Sequence, residues 1–96
     1  MKVNMEVLSG PLDGHVFTFA KSVDIGRENI CELAIPVDKY ISRRHARIIV
    51  VEPECFLEDL ASTNGTFVND QRLHGRTVLT NGQLFKVGKT WVQIQW

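Results

Sequence analysis

Short runs of alternating apolar and polar residues, separated by turn-forming residues, occupy most of this chain of 96 residues. Residues 3–7 alternate strictly, and residues 46–52 are rich in β-branched side chains. Successive side chains of a strand point to opposite faces of a sheet, so a period of two indicates strands and not helices. About ten to eleven such runs, with Gly, Pro, Asn and Asp between them, predict an all-β sandwich of short, mostly antiparallel strands.

Turn signals between these runs predict which strands are neighbours. The dense turn cluster at residues 9–14 predicts a hairpin between residues 3–7 and residues 15–20. An antiparallel return across Pro53 is predicted in the same way. Two Asn-Gly pairs give the same hairpin signal, at Asn64-Gly65 and at Asn81-Gly82.

Composition limits the possible classes of function. Hydrophobic residues make up 44% of the chain, which is enough for one core, so one domain over residues 1–96 is expected. Eleven Lys and Arg balance eleven Asp and Glu. Because no overall field attracts the chain to nucleic acid or to anionic lipid, neither partner is expected, and an anion site would have to be local.

The two cysteines, Cys31 and Cys55, do not have the spacing of a zinc site or of a redox pair. No metal and no cofactor are therefore expected, and both cysteines are predicted to be reduced thiols of an intracellular protein. The apolar start, residues 1–8, is too short for a signal peptide or a membrane span. A cytoplasmic location is the natural expectation.

Residue types that bind anions occur in three separate polar loops. The first loop contains Gly26-Arg27, the second contains Ser42-Arg43-Arg44-His45, and the third contains Ser62-Thr63-Asn64-Gly65-Thr66. Together with Asn69, this ordered set resembles the signature of the forkhead-associated domain. The resemblance covers essentially the whole chain. It implies a β-sandwich with its ligand loops at one end, which binds phosphothreonine on a partner protein as a monomeric signalling module.

The chemistry of a phosphate ester agrees with that resemblance. A phosphate monoester carries about −1.5 to −2 charge near neutral pH, so it needs a guanidinium, hydroxyls and backbone N–H groups from neighbouring loops. Arg27 is the best candidate for the charged contact, and Gly26 would let the backbone turn beside it. Taken by itself, Arg27 would more often be a surface arginine in a solvated turn, and the resemblance reverses that preference.

The second loop offers a hydroxyl, a further cation and an imidazole. Ser42 can donate to a phosphate oxygen, and Arg43 adds a second positive contact, while Arg44 should alternate away from the ligand. Ser42 and His45 superficially resemble a nucleophile and its base. No orienting carboxylate or oxyanion motif accompanies them, so no enzyme is predicted. The resemblance implies instead that His45 ties the ligand loops together.

The third loop offers a hydroxyl and a side-chain amide. Thr63 can donate to phosphate, and the Asn64 amide can accept from one peptide group while it donates to another. The resemblance implies that Asn64 holds the peptide backbone beside the phosphothreonine. Gly65 would supply the turn, and Asn69 is interpreted as a residue that fixes a turn outside the ligand contacts.

A phosphate-independent docking or assembly module on the same sandwich is the main alternative hypothesis. Such a module would have no need of Arg27, Ser42 and Asn64 together, and it should expose apolar surface. The sequence therefore favours phosphopeptide binding.

Overall fold

The computed structural model describes residues 1–96, and its regular secondary structure is almost entirely strand. One 3-10 turn, Gly10–Leu12, is the only helical element, and no helix is long and apolar enough to cross a membrane. The strands are β1 Val3–Val7, β2 Val16–Phe19, β3 Val23–Gly26, β4 Leu33–Ala34, β5 Ala46–Val51, β6 Glu54–Asp59, β7 Thr66–Val68, β8 Gln71–Arg72, β9 Arg76–Leu79, β10 Leu84–Val87 and β11 Thr90–Gln95.

The strands form two sheets that pack face to face. One sheet has the order β2-β1-β11-β10-β7-β8, and the other has the order β4-β3-β5-β6-β9. All pairings are antiparallel except that of β3 with β4. The predicted all-β sandwich of ten to eleven short strands is confirmed.

The alternation seen in the sequence places one face of each strand in the core. In β1, Val3, Met5 and Val7 are fully buried, while Asn4 is exposed. The same period continues in the neighbouring strand β11, where Val92 and Ile94 are buried. Both sheets contribute to one cluster of 18 buried residues, whose apolar burial stabilises the sandwich.

The two predicted antiparallel neighbours are confirmed. β1 pairs with β2 through the turn at residues 8–15, and β5 pairs with β6 across Pro53. The sequence analysis did not single out β9, although Thr77 and Val78 are typical strand residues.

The hairpin expectation at the two Asn-Gly pairs is wrong. The segment with Asn64-Gly65 joins β6 to β7, and the segment with Asn81-Gly82 joins β9 to β10. In each case the two strands belong to different sheets, so the chain crosses the sandwich there. Gly65 and Gly82 still supply a turn, since their φ angles are 91° and 87°.

Both cysteines lie in the interior and neither forms a disulfide. Cys31 is 5% exposed and Cys55 is fully buried. Burial raises the pKa of both thiols. Because the thiolate is the reactive form, both buried cysteines should be less reactive than an exposed cysteine.

Candidate functional site

Three loops meet at one end of the sandwich, and they are the loops that carry the predicted site residues. Loop A is residues 27–32, loop B is residues 35–45, and loop C is residues 60–65. The Arg27 N–H donates to the Ser42 carbonyl at 3.0 Å, and the Leu60 N–H donates to the His45 carbonyl at 2.9 Å. Backbone hydrogen bonds thus join loop A to loop B and loop B to loop C.

Gly26 allows β3 and loop B to approach closely. A Cβ atom at this position would lie 2.1 Å from the Arg43 carbonyl oxygen and 2.7 Å from the Cys31 Sγ. The Cys31 thiol donates to the same carbonyl at 3.4 Å. Gly26 is needed here for space and not for a left-handed backbone.

His45 is fully buried and joins loop B to loop C through its side chain. The Ser42 N–H donates to the His45 Nδ1 at 3.0 Å, so Nε2 must carry the ring proton in the neutral form. The Nε2–H group donates to the Gly65 carbonyl at 2.8 Å. Burial lowers the pKa of His45, which favours this neutral ring. Because both ring nitrogens are engaged with backbone groups, neither is directed at the Ser42 hydroxyl as a base would be.

Ser42 and Thr63 bring loops B and C into direct contact. The Thr63 N–H donates to the Ser42 Oγ at 3.1 Å. A hydroxyl has one proton to donate and two lone pairs, so Ser42 keeps its own proton for another partner. The Ser42 side chain is half-buried and Thr63 is exposed, which leaves both hydroxyls accessible from solvent.

Asn64 binds loop B with one half of its amide. Its Nδ2 donates to the Tyr40 carbonyl at 2.9 Å. The Asn64 side chain is exposed, and its Oδ1 accepts no hydrogen bond within the chain. The bond to Tyr40 fixes the amide plane, so Oδ1 is presented to solvent in a defined direction.

The arginines of loops A and B differ in how firmly they are held. Arg27 is half-buried, and its Nη1 lies 3.5 Å from the Lys39 carbonyl. Arg43 and Arg44 are exposed. The three ion pairs of the protein are Met1–Glu52, Arg47–Asp24 and Arg76–Glu58, so none of these loop cations is paired with a carboxylate. Loops A and B also carry the carboxylates of Glu28, Glu32 and Asp38, so the site offers unpaired guanidinium groups and not a large net charge.

The sequence analysis did not predict a polar cluster that lies beneath loop C. The Asp59 Oδ1 accepts from the Ser62 hydroxyl at 2.6 Å and from the Thr66 hydroxyl at 2.7 Å. The Ser62 Oγ in turn accepts from the Gly65 N–H at 3.0 Å. Burial alone would raise the pKa of Asp59, but these hydrogen bonds outweigh it and hold the pKa below its usual value. The spacing Asp-x-x-Ser at residues 59–62 is typical of such a local turn and could have indicated it.

Asp38 has a corresponding role for loop B, and its longer-range contacts were not predicted from the sequence. Its Oδ1 accepts from the Tyr40 N–H at 2.9 Å. Its Oδ2 accepts from the Lys89 N–H at 2.8 Å and from the Thr90 hydroxyl at 2.7 Å. Asp38 thereby fixes loop B to the turn between β10 and β11.

Asn69 does not join the other site residues. It lies with Asp70 in the turn between β7 and β8, after the end of β7 that is remote from loop C. The φ angles of Asn69 and Asp70 are 52° and 63°, as a tight two-residue hairpin requires. The Asn69 side chain makes no hydrogen bond of the expected local kind, so its contribution is the backbone conformation.

The arrangement offers hydrogen-bond donors and positive charge, which suits an anion. Arg27, Ser42 and Thr63 lie on three loops that are bonded to one another. No group of three or more His, Cys, Asp or Glu side chains is placed to hold a metal ion.

Comparison with known families decides the relationship of the chain. The sequence profile of the forkhead-associated (FHA) domain matches residues 23–88, which include loops A, B and C. The chain belongs to the FHA domain family.

Among curated FHA proteins, the chain is similar to FhaB of Mycobacterium tuberculosis. The two are 33% identical over 90 residues, which are 93% of this chain and 57% of FhaB. FhaB of Mycolicibacterium smegmatis shows the same identity and the same coverage. The chain thus spans a little over half the length of the curated FHA proteins that it matches.

Solved FHA structures share the whole fold. An FHA domain from a structural and functional study of phosphothreonine-dependent interactions superposes with a TM-score of 0.88 and is 28% identical, with 100% of this chain and 97% of that chain covered. The FhaA FHA domain, solved in complex with the intracellular domain of Rv3910, has a TM-score of 0.85 and is 29% identical, covering 97% and 99%. The FHA domain of CT664 from Chlamydia trachomatis, at 24% identity and a TM-score of 0.92, shows the fold alone.

Proposed function

We propose that this chain binds a phosphothreonine-containing segment of a partner protein and acts as an interaction module. The observation that carries the proposal is the direct bonding of loops A, B and C, since the Arg27 N–H donates to the Ser42 carbonyl and the Thr63 N–H donates to the Ser42 Oγ. The FHA domain with a TM-score of 0.88 comes from a study of phosphothreonine-dependent interactions, which supports the same function.

Arg27 supplies the main charge contact to the phosphate. Its guanidinium can donate two parallel hydrogen bonds to a phosphate, and such bonds are roughly twice as strong as neutral ones. The Ser42 hydroxyl donates its free proton, and the Thr63 hydroxyl donates from the opposite loop. Arg43 is exposed and adds positive charge without a fixed geometry.

Asn64 binds the peptide backbone beside the phosphorylated residue. Its Nδ2 is fixed by the Tyr40 carbonyl, so the free Oδ1 accepts a peptide N–H. Because the amide is already oriented before binding, little side-chain entropy is lost when the peptide is bound.

No catalysis forms part of this proposal. A base for Ser42 would need a ring nitrogen near its hydroxyl, whereas both nitrogens of His45 bond backbone groups. His45, Gly26 and Gly65 support the loops, and we place the module in the cytoplasm, where two unpaired cysteines persist. The activities of the longer proteins that the chain matches over 57% of their length are not carried over.

An oriented phosphothreonine peptide library, measured against a matched phosphoserine library, tests the proposal. We expect selective retention of phosphothreonine peptides. One methyl group distinguishes the two ligands, and in a small apolar niche it contributes about 1–3 kcal/mol. Retention of neither library would reject the function, and equal retention of both would show a phosphate site without selectivity for threonine.

A further inference from the structure

Arg72 is a residue of β8 that contacts loop C from outside the three loops. Its Nη2 donates to the Ser62 carbonyl at 3.3 Å and to the Thr63 carbonyl at 3.5 Å. No other group of the protein donates to either carbonyl. Arg72 belongs to none of the three ion pairs, so its guanidinium is not bound by a carboxylate. Its hydrogen bonds are therefore made to the backbone of loop C.

The peptide group between Ser62 and Thr63 is bonded on both of its sides. Its carbonyl accepts from Arg72, and its N–H donates to the Ser42 Oγ at 3.1 Å. In a trans peptide group the carbonyl and the N–H point in opposite directions, and the only cis peptide bond of the chain precedes Pro53. Arg72 and Ser42 therefore hold this group from opposite sides. The bond to its carbonyl also makes its N–H a stronger donor to Ser42.

Gly65 leaves room for the Arg72 side chain to reach these carbonyls. A Cβ atom at Gly65 would lie 2.9 Å from the Arg72 Nε and 3.2 Å from its Cδ. The Arg72 side chain thus passes close to the backbone of Gly65. The absence of a side chain at this position serves Arg72 as well as the turn.

The hairpin of β7 and β8 places Arg72 beside loop C. Phe67 is opposite Arg72 in the register of the two strands, and the Leu73 N–H donates to the Thr66 carbonyl at 2.7 Å. The turn of this hairpin is residues 69–70, which lie outside the candidate site. One side chain therefore connects the hairpin to a ligand loop.

Loop C depends on contacts from outside because part of its backbone is in an unfavourable conformation. Ala61 has a φ of 58°, and a left-handed conformation is unfavourable for alanine. Such conformations persist only where the surrounding structure fixes them. Asp59 bonds Ser62 at the start of the loop, and Arg72 bonds the next peptide group.

We propose that Arg72 is a positioning residue of the phosphopeptide site, which holds the peptide group of residues 62–63 so that Thr63, Asn64 and the Ser42 hydroxyl are in place before the ligand binds. The inference rests on the proposed function and adds to it a residue that does not itself contact the bound segment. Loss of the guanidinium lowers the fraction of molecules in which loop C has its binding conformation. The apparent affinity falls in proportion to that fraction.

The first measurement is calorimetric titration of Arg72→Met with a phosphothreonine peptide. Methionine keeps an unbranched side chain beside Gly65 but cannot donate a hydrogen bond. We expect binding about fivefold weaker than that of the wild type. The midpoint of urea unfolding should be nearly unchanged, because Arg72 is exposed. Arg72→Lys, which can still donate to one of the two carbonyls, should recover part of the affinity.

The second measurement is amide hydrogen exchange by NMR in the absence of peptide, which separates positioning from direct contact. We expect the Thr63 amide to exchange faster in Arg72→Met than in the wild type, because its bond to the Ser42 Oγ then opens more often. A residue that acts only by touching the ligand would leave this exchange rate unchanged.

Arg76→Met is the matched control. Arg76 is also an exposed arginine, and its guanidinium donates two long hydrogen bonds, at 3.3 Å and 3.2 Å, to Glu58 in the other sheet. This variant should keep the wild-type affinity for the peptide and the wild-type exchange rate at Thr63.

The outcomes separate this inference from the function on which it rests. If the wild type binds the phosphothreonine peptide and Arg72→Met binds it equally well, the positioning role is wrong and the proposed function stands. Weaker binding with unchanged exchange at Thr63 also overturns the positioning role, because Arg72 would then act on the ligand directly. An equal loss of affinity in Arg76→Met overturns it too. If the wild type binds no phosphothreonine peptide, both the proposed function and this inference are overturned.

Discussion

His45 is the residue on which the positions of loops B and C both depend. Its ring is fully buried and bonds a backbone group of each loop, at Ser42 and at Gly65. Protonation would place a second N–H on the ring, so Nδ1 could no longer accept from the Ser42 N–H. The neutral ring is thus a structural requirement of the site.

The stability of the protein should depend on pH through His45. Burial holds the pKa of His45 below its usual value in the folded protein, whereas the unfolded chain has a pKa of about 6.5. Because the unfolded state then binds the proton more readily, the contribution of His45 is complete above about pH 6.5 and declines as the pH falls towards the folded pKa. Urea unfolding between pH 7 and pH 5 should show this decline.

Two histidine variants provide the comparison. His45→Ala should lose about 2–4 kcal/mol at pH 7, because it leaves a cavity and two unsatisfied backbone groups, and its stability should depend less on pH. His74→Ala, at an exposed position, should change stability by less than about 0.5 kcal/mol and keep the wild-type pH profile. An unchanged profile in His45→Ala would contradict the structural role of the neutral ring.

The sequence indicates the three loops of the candidate site better than it predicts the contacts between them. The order of Gly26-Arg27, Ser42, His45 and Asn64 indicated the three loops and a tie at His45. The contacts of Asp38 with Lys89 and Thr90 were missed because these partners are 51 and 52 residues away in the chain, and no periodicity encodes such contacts. The bond from Asn64 to the Tyr40 carbonyl was missed for the same reason, since 24 residues separate them.

At the level of elements, β3 and loop B are held together by the absence of a side chain at Gly26. A Cβ atom there would meet the Arg43 carbonyl at 2.1 Å, and backbone cannot rotate away as a flexible side chain could. Arg27 is the next residue in the chain, so any shift of this contact also moves the residue that we propose to bind the phosphate.

Gly26→Ala should therefore weaken both the fold and the binding of a phosphopeptide. Overpacking of this kind costs about 1–3 kcal/mol of stability, measurable by chemical unfolding. Gly82→Ala is the control, since its positive φ of 87° makes alanine unfavourable while its Cβ would meet no neighbour. Both variants should be destabilised, but only Gly26→Ala should lose affinity in calorimetry. Full affinity in folded Gly26→Ala would show that the close approach does not position the site.

Most strand positions were predictable because burial imposes a period of two, but β9 was missed, and the sheet to which each strand belongs was not predictable. The Asn-Gly pairs predicted hairpins at residues 64–65 and 81–82, and in both places the chain instead crosses between sheets. A glycine with positive φ serves a hairpin and a crossing equally well, so the dipeptide alone cannot distinguish them. The packing of the two apolar faces against each other determines whether the chain forms a hairpin or crosses between the sheets.

For the whole molecule, a balanced overall charge coexists with unpaired arginines at the proposed ligand end. Eleven basic and eleven acidic residues cancel, yet Arg27, Arg43 and Arg44 lie on neighbouring loops without a carboxylate partner. Attraction to the ligand is therefore local, and only an anion delivered to this end of the sandwich benefits from it.

The most direct test is a calorimetric titration with one peptide in its threonine and phosphothreonine forms, against wild-type protein, Arg27→Ala and Arg44→Ala. We predict that the wild type binds only the phosphorylated form. Arg27→Ala, while remaining folded, should lose about 2 kcal/mol or more, about thirtyfold in affinity, because a charge-assisted contact is removed. Arg44→Ala, at an exposed position of loop B outside the proposed ligand contacts, should lose much less. Equal affinity of wild type and folded Arg27→Ala, or equal binding of the two peptide forms, would contradict the proposed phosphate site.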